Sequence, residues 1–165
     1  MPKPPQLHTA ALRNDSNLGA SDKELIAAYV SGLNGCQYCF GVHAETAKAF
    51  GLPEALIRAL LEDIDTAPVS ARLKPILAYA RVLTQAPSKA LQRHVDDILA
   101  QGWTERDVHD AVLTVCLFNF MNRLLDGHGV KGSPDVFADR GRALQEGGYA
   151  PLLAFLDAES SLRRP

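Results

Sequence analysis

The stretch from Ala111 to Leu125 is apolar on nearly every face when wound as a helix, and this limits the fold more than any other feature of the chain. Such a helix has to be wrapped by other elements or covered by a second subunit. Thr104, followed three residues later by Asp107, supplies a start signal, and Gly127-His128-Gly129 a stop, so the spacing predicts a helix over 104–126. On it, Asn119, Asn122, Arg123 and Asp126 fall at i, i+3, i+4 and i+7 and make a single polar stripe. Buried polar groups need partners. The stripe therefore implies polar contacts within the fold, water, or a neighbouring subunit, and with the apolar surface around it points to a homo-oligomer. The apolar run is too short and too interrupted to span a membrane.

The rest of the chain reads as helices too. Ser21 with Glu24 matches a capping box and opens a helix to about Leu33. A second runs from near Cys36 to Gly51, a third from Pro53 to Glu62, and a fourth over 71–85 with Pro75 in its first turn. Ser88 is expected to cap a fifth helix ending at Gly102, Trp103 to pack just before the Thr104 cap, and Pro134-Asp135 to open a last helix to Gly147. Before all of these, Leu7 to Leu12 has room for one helical turn. No segment alternates apolar and polar residues between turn signals. The expectation is an all-α, single-domain bundle of about six to seven helices, with residues 1–20 as an N-terminal arm, 21–150 as the domain and 151–165 as a tail that docks as one turn.

Charges of both signs are scattered, with a net charge of −2 and no basic patch, which argues against a nucleic-acid partner. The first residues, Met1-Pro2-Lys3-Pro4-Pro5, lack the apolar core of a secretory signal, so a cytoplasmic protein is expected. Three cysteines in 165 residues do not suggest a disulfide scaffold. In a reducing compartment a Cys-x-x-Cys pair points to redox or metal chemistry.

That pair is Cys36 and Cys39, in Gly35-Cys36-Gln37-Tyr38-Cys39-Phe40-Gly41-Val42-His43, directly after the Asn34-Gly35 turn. At about 100° per residue, Cys36, Cys39 and His43 lie within roughly 60° of arc on one helix face. The position near a helix N-terminus predicts a bias towards thiolate. Two candidate nucleophiles thus stand beside a candidate base, which is the equipment of dithiol redox chemistry. Glu24, on the preceding helix, is the nearest carboxylate able to orient the imidazole.

Glu24, Cys36, Cys39 and His43 together resemble the Glu-x11-Cys-x2-Cys-x3-His pattern of the AhpD-like alkylhydroperoxidases, within the carboxymuconolactone decarboxylase-like superfamily. Glu24-Leu25-Ile26-Ala27, Asn34-Gly35-Cys36 and Phe118-Asn119-Phe120-Met121-Asn122-Arg123 are similar to its peroxidase-related branch, and the resemblance covers roughly residues 20–130. It implies an all-helical fold that assembles as dimers, trimers or hexamers. It also implies that Cys39 is the deeper, attacking cysteine and Cys36 the more exposed, resolving one, with His43 and Glu24 as a water-assisted proton relay. A hydroperoxide is the implied substrate. No bound cofactor is implied, because the electrons come from an external thiol donor such as a lipoyl-bearing protein. Some members carry a histidine between the cysteines where this chain has Tyr38, which is no base near neutral pH.

Other readings of the same residues stay open. The cysteine face continues through Phe40, Ala47 and Phe50, so Cys36, Cys39 and His43 also suit a plain core face. Glu24 is fully explained by the capping box. Cys36, Cys39, His43 and Glu24 amount to four zinc ligands, although three of them share one helix face instead of forming two separated pairs. A non-catalytic redox-sensing or binding module fits the same pattern. A lactone decarboxylase does not need a vicinal dithiol. Cys116 is expected in the core. His8, His94, His109 and His128 have no neighbours in sequence that suggest a function.

Overall fold

Nine consecutive residues, Lys23 to Ser31, are buried, so one helix of this chain is enclosed on every side. In the computed structural model, which describes residues 4–151 and residue 154, that helix is α2 (Ala20–Leu33). The other helices are α1 (Pro4–Leu12), α3 (Gln37–Ala49), α4 (Glu54–Glu62), α5 (Lys74–Gln85), α6 (Gln92–Ala100), α7 (Glu105–Gly127) and α8 (Pro134–Gly147), with a 3-10 turn at Pro87–Lys89. Among the described residues there is no strand, as expected, and there are eight α-helices where six to seven were expected. The additional one is α1. Its sequence promises a single turn, but it winds from Pro4, and Ala11 and Leu12 at its end are completely buried. The turn expected beyond residue 150 falls, apart from Pro151 and Ala154, outside the described residues.

Helix α2 packs against α1, α3, α4, α5 and α7, while α3 lies between α2 and α8. The apolar helix of the sequence, α7, is long and central but is not enclosed. Cys116 and Arg123 are exposed, and Phe120 keeps 48% of its surface. The core reading of Cys116 is therefore corrected: it lies on the outer face of α7, one turn from Phe120. Helix α2 can be enclosed because Ala27, Ala28 and Ser31 let neighbouring helices approach, and because its polar groups find partners inside. Lys23 reaches the Asn14 side chain and, at 3.3 Å, the Asn14 carbonyl. Burial lowers its pKa, against the pull of Asp110 and Asp107.

Two capping expectations fail. Helix α2 starts after Gly19 with no side-chain cap, because Glu24 turns into the core instead of back to the first turn. Ser88 sits in the 3-10 turn, and α6 begins after Leu91, whose N–H donates to His94 Nδ1 at 3.0 Å. The Thr104–Asp107 box on α7 forms in both directions, at 3.2 and 2.9 Å. Trp103 packs before it, donating to the Arg72 carbonyl at 2.8 Å beneath the Arg72 guanidinium.

The α3–α8 contact depends on a missing side chain. A Cβ on Gly141 would stand 2.7 Å from the Glu45 carbonyl carbon of α3, and backbone cannot swing away. Gly141→Ala should therefore cost about 1–3 kcal/mol of overpacking, or about 2–4 °C of Tm per kcal/mol. Gly127→Ala, where a Cβ meets open space, should be neutral or stabilising. Thermal melts of the two variants showing equal stability would refute the close crossing.

Candidate active site

The end of α2 delivers the first cysteine. Cys36 N–H donates to Ser31 O and Gly35 N–H to Gly32 O, both at 3.0 Å, and Gly35 has φ +70°. This is a Schellman closure, and its positive φ suits glycine. Cys36 therefore ends α2 and also stands as the N-cap of α3. Cys39 follows one turn into α3. Both are free thiols and both are buried, Cys36 at 0% exposure and Cys39 at 3%. The expectation of a more exposed Cys36 is corrected here: Cys39 lines a cavity and Cys36 does not.

Cys36 and Asn122 are the polar neighbours that act on the Cys39 thiol. Its pKa is pushed up to about 12, chiefly by burial and then by Cys36, with Asn122 working the other way. The bias towards thiolate read from the helix N-terminus is thus overridden. Desolvation disfavours the charged form more than the helix dipole favours it.

Asn122 also answers where the polar stripe of α7 goes. Its Nδ2 donates to Ser31 Oγ and its Oδ1 accepts from Asn34 Nδ2, each at 2.9 Å. Asn34 reaches Asn119 Oδ1 as well, at 3.2 Å, and Asn119 Nδ2 donates to Thr84 Oγ1 at 3.1 Å. Arg123 folds back onto Asn119. The buried part of the stripe is satisfied within one chain, and it clamps the Asn34-Gly35 turn that presents Cys36.

On the other side, His43 Nδ1 lies 2.6 Å from Glu24 Oε2. An ionised carboxylate only accepts, so Nδ1 carries the hydrogen, and in the neutral ring Nε2 is the acceptor. The ring stands edge-on to Phe118, with centroids 4.4 Å apart. Glu24 is 0% exposed and its other oxygen pairs with Arg13 Nη2 at 2.7 Å. Burial alone would raise the Glu24 pKa, but His43 and Arg13 together hold it below the ordinary 4.5. Arg13 is anchored by the Leu144 carbonyl at 3.1 Å and lies over the Phe50 and Tyr149 rings. The Tyr149 phenol, buried beside the Glu24 charge, has its pKa raised well above its usual value.

Cys39 and His43 share the wall of a cavity of about 400 Å³, together with Tyr38, His8 and Phe118. The structure thus brings Glu24, Cys36, Cys39 and His43 into one neighbourhood. Tyr38, the departure between the cysteines, stands against Phe137 and lines the cavity. His8, without company in the sequence, packs between Phe118 and Tyr149 on the same wall. Arg13 has no sequence signal at all. Asn122 shows in the sequence only as part of a polar stripe. Among the described residues no three His, Cys, Asp or Glu side chains are grouped so as to hold a metal ion, and no helix is long and apolar enough to cross a membrane.

Residues 4–82 match the family model of the Carboxymuconolactone decarboxylase family. The uncharacterized protein YdfG of Bacillus subtilis is 28% identical over 109 residues, covering 66% of this chain and 74% of its own length. An alkylhydroperoxidase AhpD core structure, an uncharacterized peroxidase-related protein from Ralstonia eutropha, superposes with a TM-score of 0.75 at 21% identity, over 83% of this chain and 72% of that one. Over residues 4–82 the chain is therefore similar to that family, and its fold is that of the alkylhydroperoxidase AhpD core. The fold extends beyond one activity. The debrominase Bmp8 also superposes on this chain, with a TM-score of 0.68 at 18% identity, over 82% of this chain and 73% of its own.

The shared carboxylate generates a stability prediction. Removing Arg13 leaves the buried Glu24 charge with His43 alone, and Arg13→Met should cost about 3 kcal/mol at neutral pH. Because Glu24 titrates below its ordinary 4.5, its contribution is complete above about that pH. It is lost as pH falls through the lower folded value. Without Arg13 that folded value rises, so acid unfolding of the variant should begin at higher pH. Urea titrations between pH 3 and 7 test both points, and a loss under 1 kcal/mol with an unmoved acid limb would contradict the ion pair.

Proposed function

We propose that this protein is a thiol-dependent hydroperoxide reductase in which Cys39 attacks, Cys36 resolves, and His43 moves the proton under the control of Glu24. The observation that carries the reading is the buried pair of thiols beside an apolar cavity, with an imidazole on the same wall held 2.6 Å from a fully buried carboxylate.

In the first step Cys39 gives its proton to His43, and its sulfur attacks the terminal oxygen of the O–O bond. The bond breaks, the alkoxide leaves and takes the proton, and Cys39 becomes a sulfenic acid. The Cys36 thiol then attacks the sulfenic sulfur, forming the disulfide and releasing water. An external dithiol, of lipoyl type or similar, reduces that disulfide by two exchanges and is itself oxidised. Two electrons pass from donor to peroxide in each cycle, and no bound cofactor is needed.

Arg13 and Glu24 serve the first step by fixing the ring orientation and leaving Nε2 free to accept. The Cys39 thiol, with a pKa of about 12, is protonated at rest, so its deprotonation has to coincide with attack. Homo-oligomer formation belongs to this reading as well. The outer face of α7, with exposed Phe120 and Cys116, is the surface available for it.

The test is steady-state hydroperoxide consumption with excess dihydrolipoamide, on metal-free protein. Cys39→Ser and Cys36→Ser should abolish turnover, and His43→Gln should lower it about 10²–10⁴-fold. Cys36→Ser should also accumulate sulfenic acid at Cys39, detectable by a dimedone adduct. A single oxidation without turnover, accompanied by a change in size or ligand affinity, would favour a redox-sensing module instead. Because a debrominase shares the fold, a brominated pyrrole belongs among the challenge compounds. Turnover of that compound alone would displace the peroxide reading.

A further inference from the structure

The cavity beside Cys39 carries a pattern of charge that the dithiol chemistry does not require. Its walls are apolar, built largely from Val42, Phe118, Met121 and Leu125. The polar side chains among its lining residues are neutral or basic: Tyr38, Tyr149, His8, His43 and Arg140. No carboxylate lines it among the described residues. Glu24 is sealed behind His43 and neutralised by Arg13. Asp126, whose charge is felt at Cys39, is exposed on α7 and is not part of the lining.

Arg140 is the fixed cation of this set. It lies on α8 four residues before Leu144 and eight before Gly148, and all three line the cavity along one stripe. The acidic residue next to it, Asp139, is taken by Arg142, and Arg140 has no ion pair among the described residues. An unpaired arginine on a surface is ordinary. Arg140 is exposed and also lines an apolar cavity whose wall includes the Cys39 thiol, which places it to select what enters, because a guanidinium meets a carboxylate through two parallel hydrogen bonds.

We propose that the cavity is a binding site for an anionic amphiphile: an organic hydroperoxide that also carries a carboxylate. The carboxylate pairs with Arg140, the hydrocarbon body lies along the apolar walls, and the peroxide end reaches Cys39. The reductive part of this assignment rests on the peroxidase reading above, whereas the recognition of the anion does not. The products follow from the same balance, the hydroxy acid being released with the carboxylate unchanged.

The experiment compares two substrates on one carbon skeleton, linoleic acid hydroperoxide and its methyl ester, both below their micellar concentrations. It runs alongside calorimetric binding of linoleic acid and methyl linoleate to the reduced full chain. The acid should be preferred in kcat/KM by about tenfold, the scale of one charge-assisted contact at a partly exposed site. The preference should collapse towards unity in Arg140→Gln, persist in part in Arg140→Lys, and weaken as salt is raised. Equal turnover and equal binding of acid and ester would overturn the proposal and leave the peroxidase reading intact. No turnover of either hydroperoxide, together with Arg140-dependent binding of the acid, would support the site and overturn the peroxidase reading.

Discussion

A single carboxylate with no exposed surface organises this molecule. Glu24 sits on the enclosed helix α2, and both of its oxygens are committed, one to Arg13 from the end of α1 and one to His43 on α3. A charge at that depth is tolerated only when it is paired from more than one direction. The pairing therefore fixes three elements at once: α1 must return to the core, α3 must present His43 inward, and α2 must carry its charge to the centre. The same commitment explains why α2 has no side-chain cap, since one carboxylate cannot serve both its first turn and the imidazole. It also makes the N-terminal segment a structural part of the site.

A second set of polar contacts works from the opposite side of the cysteines. Asn34, Ser31, Asn119, Asn122 and Thr84 form a closed network between α2, α5 and α7. Each amide is satisfied by another side chain or a carbonyl, which is the condition for a buried polar cluster to stiffen a core instead of weakening it. This network and the Schellman closure at Gly35 hold the backbone that carries Cys36, while Glu24 holds the ring that shares the cavity wall with Cys39. The two thiols lie between these two clamps, which are built from different side chains.

Much of this was legible in the sequence wherever the determinant was local. The Thr104–Asp107 box, the turn at Asn34-Gly35 and the end near Gly51 depend on a few adjacent residues, and the spacing of Cys36, Cys39 and His43 on one face depends only on helix geometry. The failures arise where a distant residue decides. Ser21 and Glu24 looked like a box until Arg13 and His43 competed for the carboxylate. Helix α7 looked enclosed because its composition is apolar, yet the polar-looking α2 took the centre, since its charges and hydroxyls found internal partners. Cys116 on α7 and the relative exposure of Cys36 and Cys39 follow from which face meets a neighbour, which periodicity does not state. Helix α1 and the residue after it carry no signature in the sequence, because their value to the fold lies in His8 and Arg13, whose partners are distant.

The Cys39 thiol, held at a pKa of about 12, stands at first sight against redox chemistry, since oxidation follows thiolate character. Within the peroxidase reading it has the opposite consequence. A thiol ionised at rest would react with any oxidant reaching the cavity, whether or not a base stood ready for its proton. A protonated thiol beside a carboxylate-anchored imidazole reacts only when a bound peroxide makes the proton transfer worthwhile, because the alkoxide that leaves is far more basic than the imidazole that carries the proton to it. Burial then confers selectivity instead of preventing reaction, and the determinant of rate moves from the resting acidity of Cys39 to the geometry of Glu24 and His43. On that reading the buried carboxylate matters to function as well as to folding: the contact that closes the core is also the one that controls the proposed proton transfer from the thiol.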